Sequence, residues 1–143
     1  MTLAAALAPA AIASALAAVR FDAQGLVACV AQQHDSGEVL MMAWMNREAL
    51  EETLRTGRVC YWSRSRRRLW RKGEESGHVQ TLVDLRIDCD GDTLLALVEQ
   101  KGVACHTGRH NCFFRALREG ELAEIAAVSV APETIYGKGI KTP

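Results

Sequence analysis

The stretch FDAQGLVACVAQQHDSGEVLMMAWM, residues 21–45, decides the fold because it predicts two strands joined by a tight turn. Residues 26–31 and 39–44 are entirely apolar, and each run is long enough for one strand. Asp35, Ser36 and Gly37 lie between the two runs, and all three residue types favour turns. The sequence therefore predicts a β-hairpin here.

A helix and a second hairpin follow this unit along the chain. Asn46 is a suitable N-cap for the helix, and Gly57 is suited to end it. The helical positions predicted to face the core are Ala49, Leu50, Thr53 and Leu54. Residues 59–63 predict a short strand. Residues 79–89 and 93–99 predict two longer ones, with an Asp-Gly hairpin turn between them.

The remaining segments are assigned from composition. Residues 3–19 suit a helix that begins or breaks near Pro9, and residues 115–130, rich in Ala and Glu, predict another helix. Residues 63–77 are basic and loop-like, and residues 101–114 are irregular. Helices and strands mix without a strict βαβ alternation, so the predicted class is α+β.

The 143 residues are enough for one domain with a buried core. We divide them into an Ala-rich N-terminal extension (1–20), a central domain (21–118) and a C-terminal helix and tail (119–143). The first basic residue is Arg20, after the apolar stretch, so we expect an extension on a cytoplasmic protein rather than a signal peptide. No apolar run is long and unbroken enough to span a bilayer, so we expect no membrane partner. Lys plus Arg and Asp plus Glu are 17 each, which argues against a dedicated nucleic-acid binder.

An odd number of cysteines, five, argues against a secreted disulfide scaffold. Cys29 and Cys60 lie in apolar surroundings, where we expect them to be small buried side chains. In a reducing cytosol the other three more often indicate metal binding or catalysis.

Those three, Cys89, Cys105 and Cys112, are candidate zinc ligands, because zinc takes thiolate and imidazole ligands in tetrahedral geometry. Three cysteines would leave one position for water, whereas His106 or His110 could complete a closed site. The chain has no CxxC pair, so spacing alone leaves open whether any metal binds.

A second candidate site is the run Asp88, Asp90 and Asp92. Three carboxylates this close repel one another, and a cation relieves the repulsion. Oxygen ligands suit magnesium or calcium. The alternative is that the three aspartates are solvated turn residues. On a regular strand the three would share one face, with Cys89 on the other. Glu99 would fit the last position of an EF-hand loop, but the glycine that such a loop requires is absent.

A third candidate is the basic stretch YWSRSRRRLWRKG, residues 61–73. Arginine forks match phosphate oxygens, and aromatic rings stack on bases. The stretch could bind nucleic acid or a phosphorylated nucleotide, or it could be a solvated loop.

Five segments together resemble the phosphoribosyl-AMP cyclohydrolase family. They are GEVLMMAWMNREAL (37–50), TGRVCYWSRSR (56–66), LWRKGEESGHVQ (69–80), DCDGDTLLALVEQ (88–100) and CHTGRHNCFF (105–114). They occur in family order and at family-like spacing, which makes the combination far more specific than any one motif.

The resemblance implies hydrolysis of the adenine ring of 1-(5-phosphoribosyl)-AMP in histidine biosynthesis: water adds at C6 and the N1–C6 bond breaks. It implies a compact mixed sheet-and-helix roll in an intertwined homodimer, with the zinc site shared at the interface. The implied ligands are Cys89, Cys105 and Cys112 for zinc, and Asp88, Asp90 and Asp92 for magnesium.

The resemblance also implies residue roles. His106, in the C-H-T-G motif, is the expected general base, with orientation of the metal site as the alternative role. Arg64, Arg66 and Lys72 are expected to bind the two phosphates, and His78 to contact the substrate.

Two other hypotheses belong to different classes. A zinc-stabilised RNA-binding module predicts a closed four-ligand site and salt-sensitive affinity for nucleic acid. A thiol redox protein using Cys105 and Cys112 predicts a reversible disulfide and no zinc, and the lack of a CxxC pair weighs against it.

Overall fold

The computed structural model describes residues 7–136, in which one large sheet, one small hairpin and three helices make up the fold. The elements are α1 (Pro9–Ala18), β1 (Val27–Gln33), β2 (Val39–Met45), α2 (Arg47–Thr56), β3 (Cys60–Ser63), β4 (Arg68–Arg71), β5 (Gln80–Ile87), β6 (Thr93–Gln100), β7 (Arg115–Arg118), β8 (Glu121–Glu124) and α3 (Pro132–Tyr136). The predicted α+β class is confirmed. The predicted first helix is observed from Pro9, while its residues 3–6 and the tail from residue 137 lie outside the described range.

The large sheet has the strand order β4-β3-β2-β1-β6-β5. The predicted hairpins β1–β2 and β5–β6 are both present and antiparallel. They join side by side because β1 pairs in parallel with β6, so the sheet is mixed. None of the helices within residues 7–136 is long and apolar enough to cross a membrane.

One face of this sheet forms the core. Buried side chains alternate along β1 and β6, as expected for strands with one face covered. The covering helix α2 buries the predicted positions Ala49, Leu50, Thr53 and Leu54. From α1 and the residue after it, Leu16 and Val19 join the same core, so part of the Ala-rich extension packs as an integral element.

The helix α2 begins and ends at the predicted residues. Asn46 Oδ1 accepts a hydrogen bond from the backbone N–H of Ala49 at 2.8 Å, and Gly57 adopts a φ of 73°. Thr53 then ties the helix to β3: its buried hydroxyl donates to the Ala49 carbonyl at 2.8 Å and accepts from the N–H of Cys60 at 2.9 Å.

Thr53→Val is expected to lower the free energy of unfolding by about 1–3 kcal/mol, because it leaves the buried N–H of Cys60 without a partner. Thr56→Val is the matched control: the Thr56 hydroxyl also accepts from a backbone N–H, that of Arg58 at 3.1 Å, but at an exposed site where water can replace it. Urea unfolding of both variants checks the difference. Equal losses would show that the buried hydroxyl has no special role.

The prediction of a loop over residues 63–77 is wrong for Arg68–Arg71, which form β4 and pair with β3. Leu69 lies opposite Trp62, and the Trp70 ring packs against Tyr61 with 5.5 Å between centroids. The many arginines suggested a solvated loop. The apolar and aromatic side chains between them stabilise the strand pairing.

The prediction of a helix over residues 115–130 is also wrong. Residues Arg115–Arg118 and Glu121–Glu124 form the antiparallel hairpin β7–β8. Glu119 and Gly120 have φ values of 51° and 80°, as a tight two-residue hairpin turn requires. Arg118 lies opposite Glu121, and Leu117 lies opposite Leu122. These cross-strand pairs outweigh the helix propensity of Ala and Glu, which is a weak preference.

Candidate active site and its metal-binding residues

The turn between β5 and β6 gathers three carboxylates at the protein surface. Asp88, Asp90 and Asp92 each place one carboxylate oxygen within 4.8 Å of the others. Asp88 Oδ1 accepts hydrogen bonds from the backbone N–H of Asp92 at 3.0 Å and of Thr93 at 3.2 Å, and these bonds fold the turn around it. The three predicted oxygen ligands therefore lie together in one chain.

Interactions within this turn shift the pKa values of Asp88 and Asp92 in opposite directions. Partial desolvation raises the pKa of Asp88, but hydrogen bonds from Thr93 and the neighbouring carboxyls outweigh it and leave this pKa below its usual value. The pKa of Asp92 is raised because Asp90 and Asp88 lie against it. A divalent cation would relieve this repulsion and favour ionisation of all three groups.

The segment after α1 supports the same turn, a link that the sequence did not reveal. The backbone N–H of Arg20 donates to the carbonyl of Gly91 at 2.7 Å. Gly91 has a φ of 80°, and a Cβ at this position would lie 2.6 Å from the Ala18 carbonyl oxygen. Only glycine fits where the two segments cross, so the carboxylate turn and the N-terminal segment hold each other in place.

The second cluster contains two thiols. Cys105 is 5% exposed, and its Sγ lies 3.0 Å from the hydroxyl of Thr107. Cys112 is exposed as a residue, but its thiol is partly desolvated by surrounding atoms. This desolvation, together with the adjacent Cys105 thiol, raises the pKa of Cys112 to about 12. Ionisation of both thiols side by side would place two like charges together, which a cation relieves, and sulfur ligands suit zinc.

Backbone and side-chain bonds fasten the thiol segment to β2. The N–H of Cys112 donates to the carbonyl of Leu40 at 2.8 Å. Just before β2, Glu38 accepts from the amide of Asn111 at 2.7 Å and contacts Nδ1 of His110 at 2.6 Å. His110 is therefore engaged by a carboxylate, and the segment between the two cysteines is anchored at its Cys112 end.

Cys89 is not brought to the thiol pair within one chain. It is exposed in the carboxylate turn, and no cysteine within residues 7–136 belongs to a group of three possible ligand atoms within 4.8 Å of one another. The structure thus unites two of the three predicted zinc ligands and leaves the third at the surface.

The two predicted histidines occupy different surroundings. His106 is exposed immediately after Cys105. His78 is half-buried, and its Nδ1 accepts a hydrogen bond from the backbone N–H of Val103 at 3.1 Å. Gly102 packs so closely on the His78 ring that a Cβ there would lie 2.7 Å from Nδ1. His78 therefore also braces the segment that leads to Cys105.

The predicted phosphate-binding residues lie on or beside the β3–β4 hairpin, but not in one place. Arg64 stacks over the Trp44 ring, with 5.1 Å between its guanidinium carbon and the ring centroid. Arg66 and Lys72 line a different cleft, which they share with Trp70. The positive charge of the hairpin is therefore divided between two surfaces.

The burial of Lys72 was not predicted from the sequence. It is 7% exposed, and its ammonium donates to the carbonyl of Ala104 at 2.6 Å. Burial lowers the pKa of Lys72, and the thiols of Cys112 and Cys105 act in the opposite direction. Its ammonium therefore belongs electrostatically to the thiol cluster.

Another group of possible ligands was not singled out from the sequence. His34, Asp35 and Glu99 are exposed and also place ligand atoms within 4.8 Å of one another. Nε2 of His34 lies 2.9 Å from Glu99 Oε2, and the Gln33 amide donates to both carboxylates. These hydrogen bonds among the side chains explain why the three groups lie together.

The chain is similar to known proteins over most of its length. A family model described as phosphoribosyl-AMP cyclohydrolase matches residues 41–114, which include both clusters and the β3–β4 hairpin. A phosphoribosyl-AMP cyclohydrolase of Rhodospirillum centenum is 68% identical over 123 residues, 86% of this chain and 92% of that protein. One of Alkalilimnicola ehrlichii is 70% identical over 121 residues, 85% of each chain, and one of Rhodospirillum rubrum is 68% identical over 122 residues, also 85% of each. The chain therefore belongs to the phosphoribosyl-AMP cyclohydrolase family.

Proposed function

We propose that this protein hydrolyses the N1–C6 bond of the adenine ring in 1-(5-phosphoribosyl)-AMP, a step of histidine biosynthesis. The observation that carries the proposal is the family match over residues 41–114, a range that contains every site residue predicted from the sequence. The RNA-binding alternative is not favoured, because the relatives named above are all called cyclohydrolases.

We assign zinc to the thiols. Cys105 and Cys112 fit it because they are adjacent, desolvated sulfur donors, and Cys89 of a second copy would be the third ligand. When bound, zinc supplies the Lewis acidity that makes water nucleophilic near neutral pH.

We assign magnesium to the carboxylate turn. Asp88, Asp90 and Asp92 are hard oxygen donors that already lie within reach of one ion. When bound, magnesium supplies positive charge that phosphate oxygens of the substrate can share.

The protein's own side chains then move protons and orient the substrate. His106 is exposed beside Cys105, where its imidazole would accept a proton from the attacking water and return it to N1 as the N1–C6 bond breaks. Arg64 and Arg66 would bind the two phosphates through their guanidinium forks. His78, which lies just before β5 and beside the segment that leads to Cys105, would contact the substrate.

We further propose a homodimer in which each zinc site takes cysteines from both chains. Two observations support a second copy as the partner. The third thiol, Cys89, is exposed and apart from the pair. The β7–β8 hairpin exposes Leu117 (75%) and Leu122 (62%), which lie opposite each other, and exposed apolar side chains of this kind mark an interface.

The cytoplasm is the proposed location. All five cysteines are free thiols, and a reducing compartment keeps thiols in the form that binds metal.

The proposal predicts that the purified protein opens the ring of phosphoribosyl-AMP, as followed by absorbance, and that a zinc chelator abolishes this turnover. Activity should also depend on the magnesium concentration. Parallel reactions with the chelator pre-saturated with zinc control for non-specific inhibition. Absence of turnover in zinc- and magnesium-replete protein would overturn the proposal, and salt-dependent RNA binding would then be measured.

A further inference from the structure

A buried lysine is an unusual feature of this fold. Lys72 follows β4 directly and is the one charged side chain that is buried in the part of the chain described. Its aliphatic stem lies in the protein interior, and its ammonium is 5.3 Å from the Trp70 ring centroid. Its Nζ donates a hydrogen bond to the carbonyl of Ala104 at 2.6 Å.

No carboxylate within residues 7–136 forms an ion pair with this ammonium. Five side-chain ion pairs occur within residues 7–136, and none of them includes Lys72. The ionisable groups that act on it are the thiols of Cys112 and Cys105. A buried charge is costly unless it is paired and hydrogen-bonded. The hydrogen bond to the Ala104 carbonyl, next to Cys105, places this cation where the two sulfurs, once ionised by a bound metal, would pair with it.

We infer that Lys72 is a positioning and charge-balancing residue of the thiol site. Its hydrogen bond fixes the Ala104 carbonyl, one residue before Cys105, and its charge offsets that of the thiolates. The inference rests on the proposed function, because it takes zinc as the ion held by the thiols. Three thiolates around a divalent ion carry one net negative charge, which a single buried ammonium cancels.

The role expected from the family resemblance, phosphate binding, makes a different prediction. Lys72 and Arg66 line the same cleft, so a substrate phosphate is the competing partner for this ammonium. Loss of a phosphate contact would raise KM and leave zinc retention unchanged. Loss of a partner of the thiols would weaken zinc binding even without substrate.

The test uses zinc-loaded Lys72→Met and measures zinc release to a chromogenic chelator. We expect release at least about tenfold faster than from the parent protein, in the range seen when an outer partner of a metal ligand is removed. Lys101→Met is the matched control, because Lys101 is an exposed lysine in the same segment, and it should release zinc at the parent rate. Lys72→Arg, which keeps the charge, should recover most of the retention. In the cobalt-substituted proteins, only Lys72→Met should shift the sulfur-to-metal charge-transfer band.

Zinc release from Lys72→Met at the parent rate would overturn the inference while leaving the proposed function intact. Such a result combined with a raised KM would return Lys72 to phosphate binding. If Lys72→Met fails to fold, NMR of the parent protein with ¹⁵N-labelled lysine side chains tests the inference instead. The Lys72 Nζ resonance is identified as the one that is absent from Lys72→Arg. It should shift when zinc is removed, and an unchanged resonance would refute the inference. A parent protein that binds no zinc would remove both the metal site and the role of Lys72 in it.

Discussion

Replacing Cys105 by serine is expected to abolish turnover of phosphoribosyl-AMP and to lower the zinc content of the purified protein. The Cys105 thiol is buried beside the Cys112 thiol, and a serine hydroxyl does not ionise there to replace it. We expect zinc affinity to fall by more than about a hundredfold, because even outer partners of a metal ligand contribute 10–100-fold. Cys112→Ser should behave in the same way.

Metal analysis and turnover on the same preparations check this expectation. Cys29→Ala is the control, because Cys29 is a buried cysteine that belongs to no proposed ligand set. It should keep its zinc and most of its activity. Full activity in a zinc-free Cys105→Ser protein would defeat the proposed mechanism.

A mixed dimer extends this prediction to the interface. If Cys89 of one chain completes the thiol pair of the other, a dimer of one Cys89→Ser chain and one Cys105→Ser chain has one intact site. Random co-assembly should then restore about a quarter of the parent activity, since half the dimers are mixed and each carries one of two sites. Activity that stays near zero would place all three ligands on one chain.

Asp90→Ala is expected to produce the second large effect, a strong rise in the magnesium concentration needed for activity, with zinc content unchanged. Asp90 lies between Asp88 and Asp92 in the turn, so its loss removes one of three oxygen ligands and leaves two. Asp84→Ala, at a half-buried aspartate of β5 paired with Arg86, is the control, because Asp84 belongs to no group of possible metal ligands within residues 7–136. A parallel loss of zinc would show that the two metal sites are not independent.

The same turn predicts a pH dependence whose sign follows from its charges. The pKa of Asp92 is raised by Asp90 and Asp88, so protons compete with magnesium for this carboxylate. Magnesium binding should weaken as the pH falls through this raised pKa and strengthen as it rises. In Asp90→Ala the repulsion is smaller and the pKa of Asp92 lower, so the pH dependence should shift to lower pH. Titrations with magnesium at several pH values measure both curves.

Much of the fold could be predicted because its signals are local. The caps Asn46 and Gly57, the apolar face of α2 and the Asp-Gly turn each depend on residues a few positions apart. The errors at Arg68–Arg71 and over residues 115–130 share one cause. There, charged or helix-favouring side chains obscured strand pairing, whose stabilising contacts are made across the hairpin.

The candidate site was likewise predictable only in part from the sequence. The carboxylates of Asp88, Asp90 and Asp92 meet because they stand within five residues of a single turn, so their grouping follows from the sequence. Cys105 and Cys112 are recognisable as candidates, but their adjacency depends on how an irregular segment is fastened to β2 by Glu38.

By itself, then, the sequence determined the hairpins β1–β2 and β5–β6, the capped helix, the acidic turn and, through its motifs, the family. Only the tertiary structure decided that β1 and β6 pair in parallel, that Arg20 braces the acidic turn at Gly91, and that Lys72 is buried beside the thiols. The physical reason is separation along the chain. Turn and helix signals arise between near neighbours, whereas the partner of a buried charge comes from a segment 32 residues away and is chosen by packing of the whole domain.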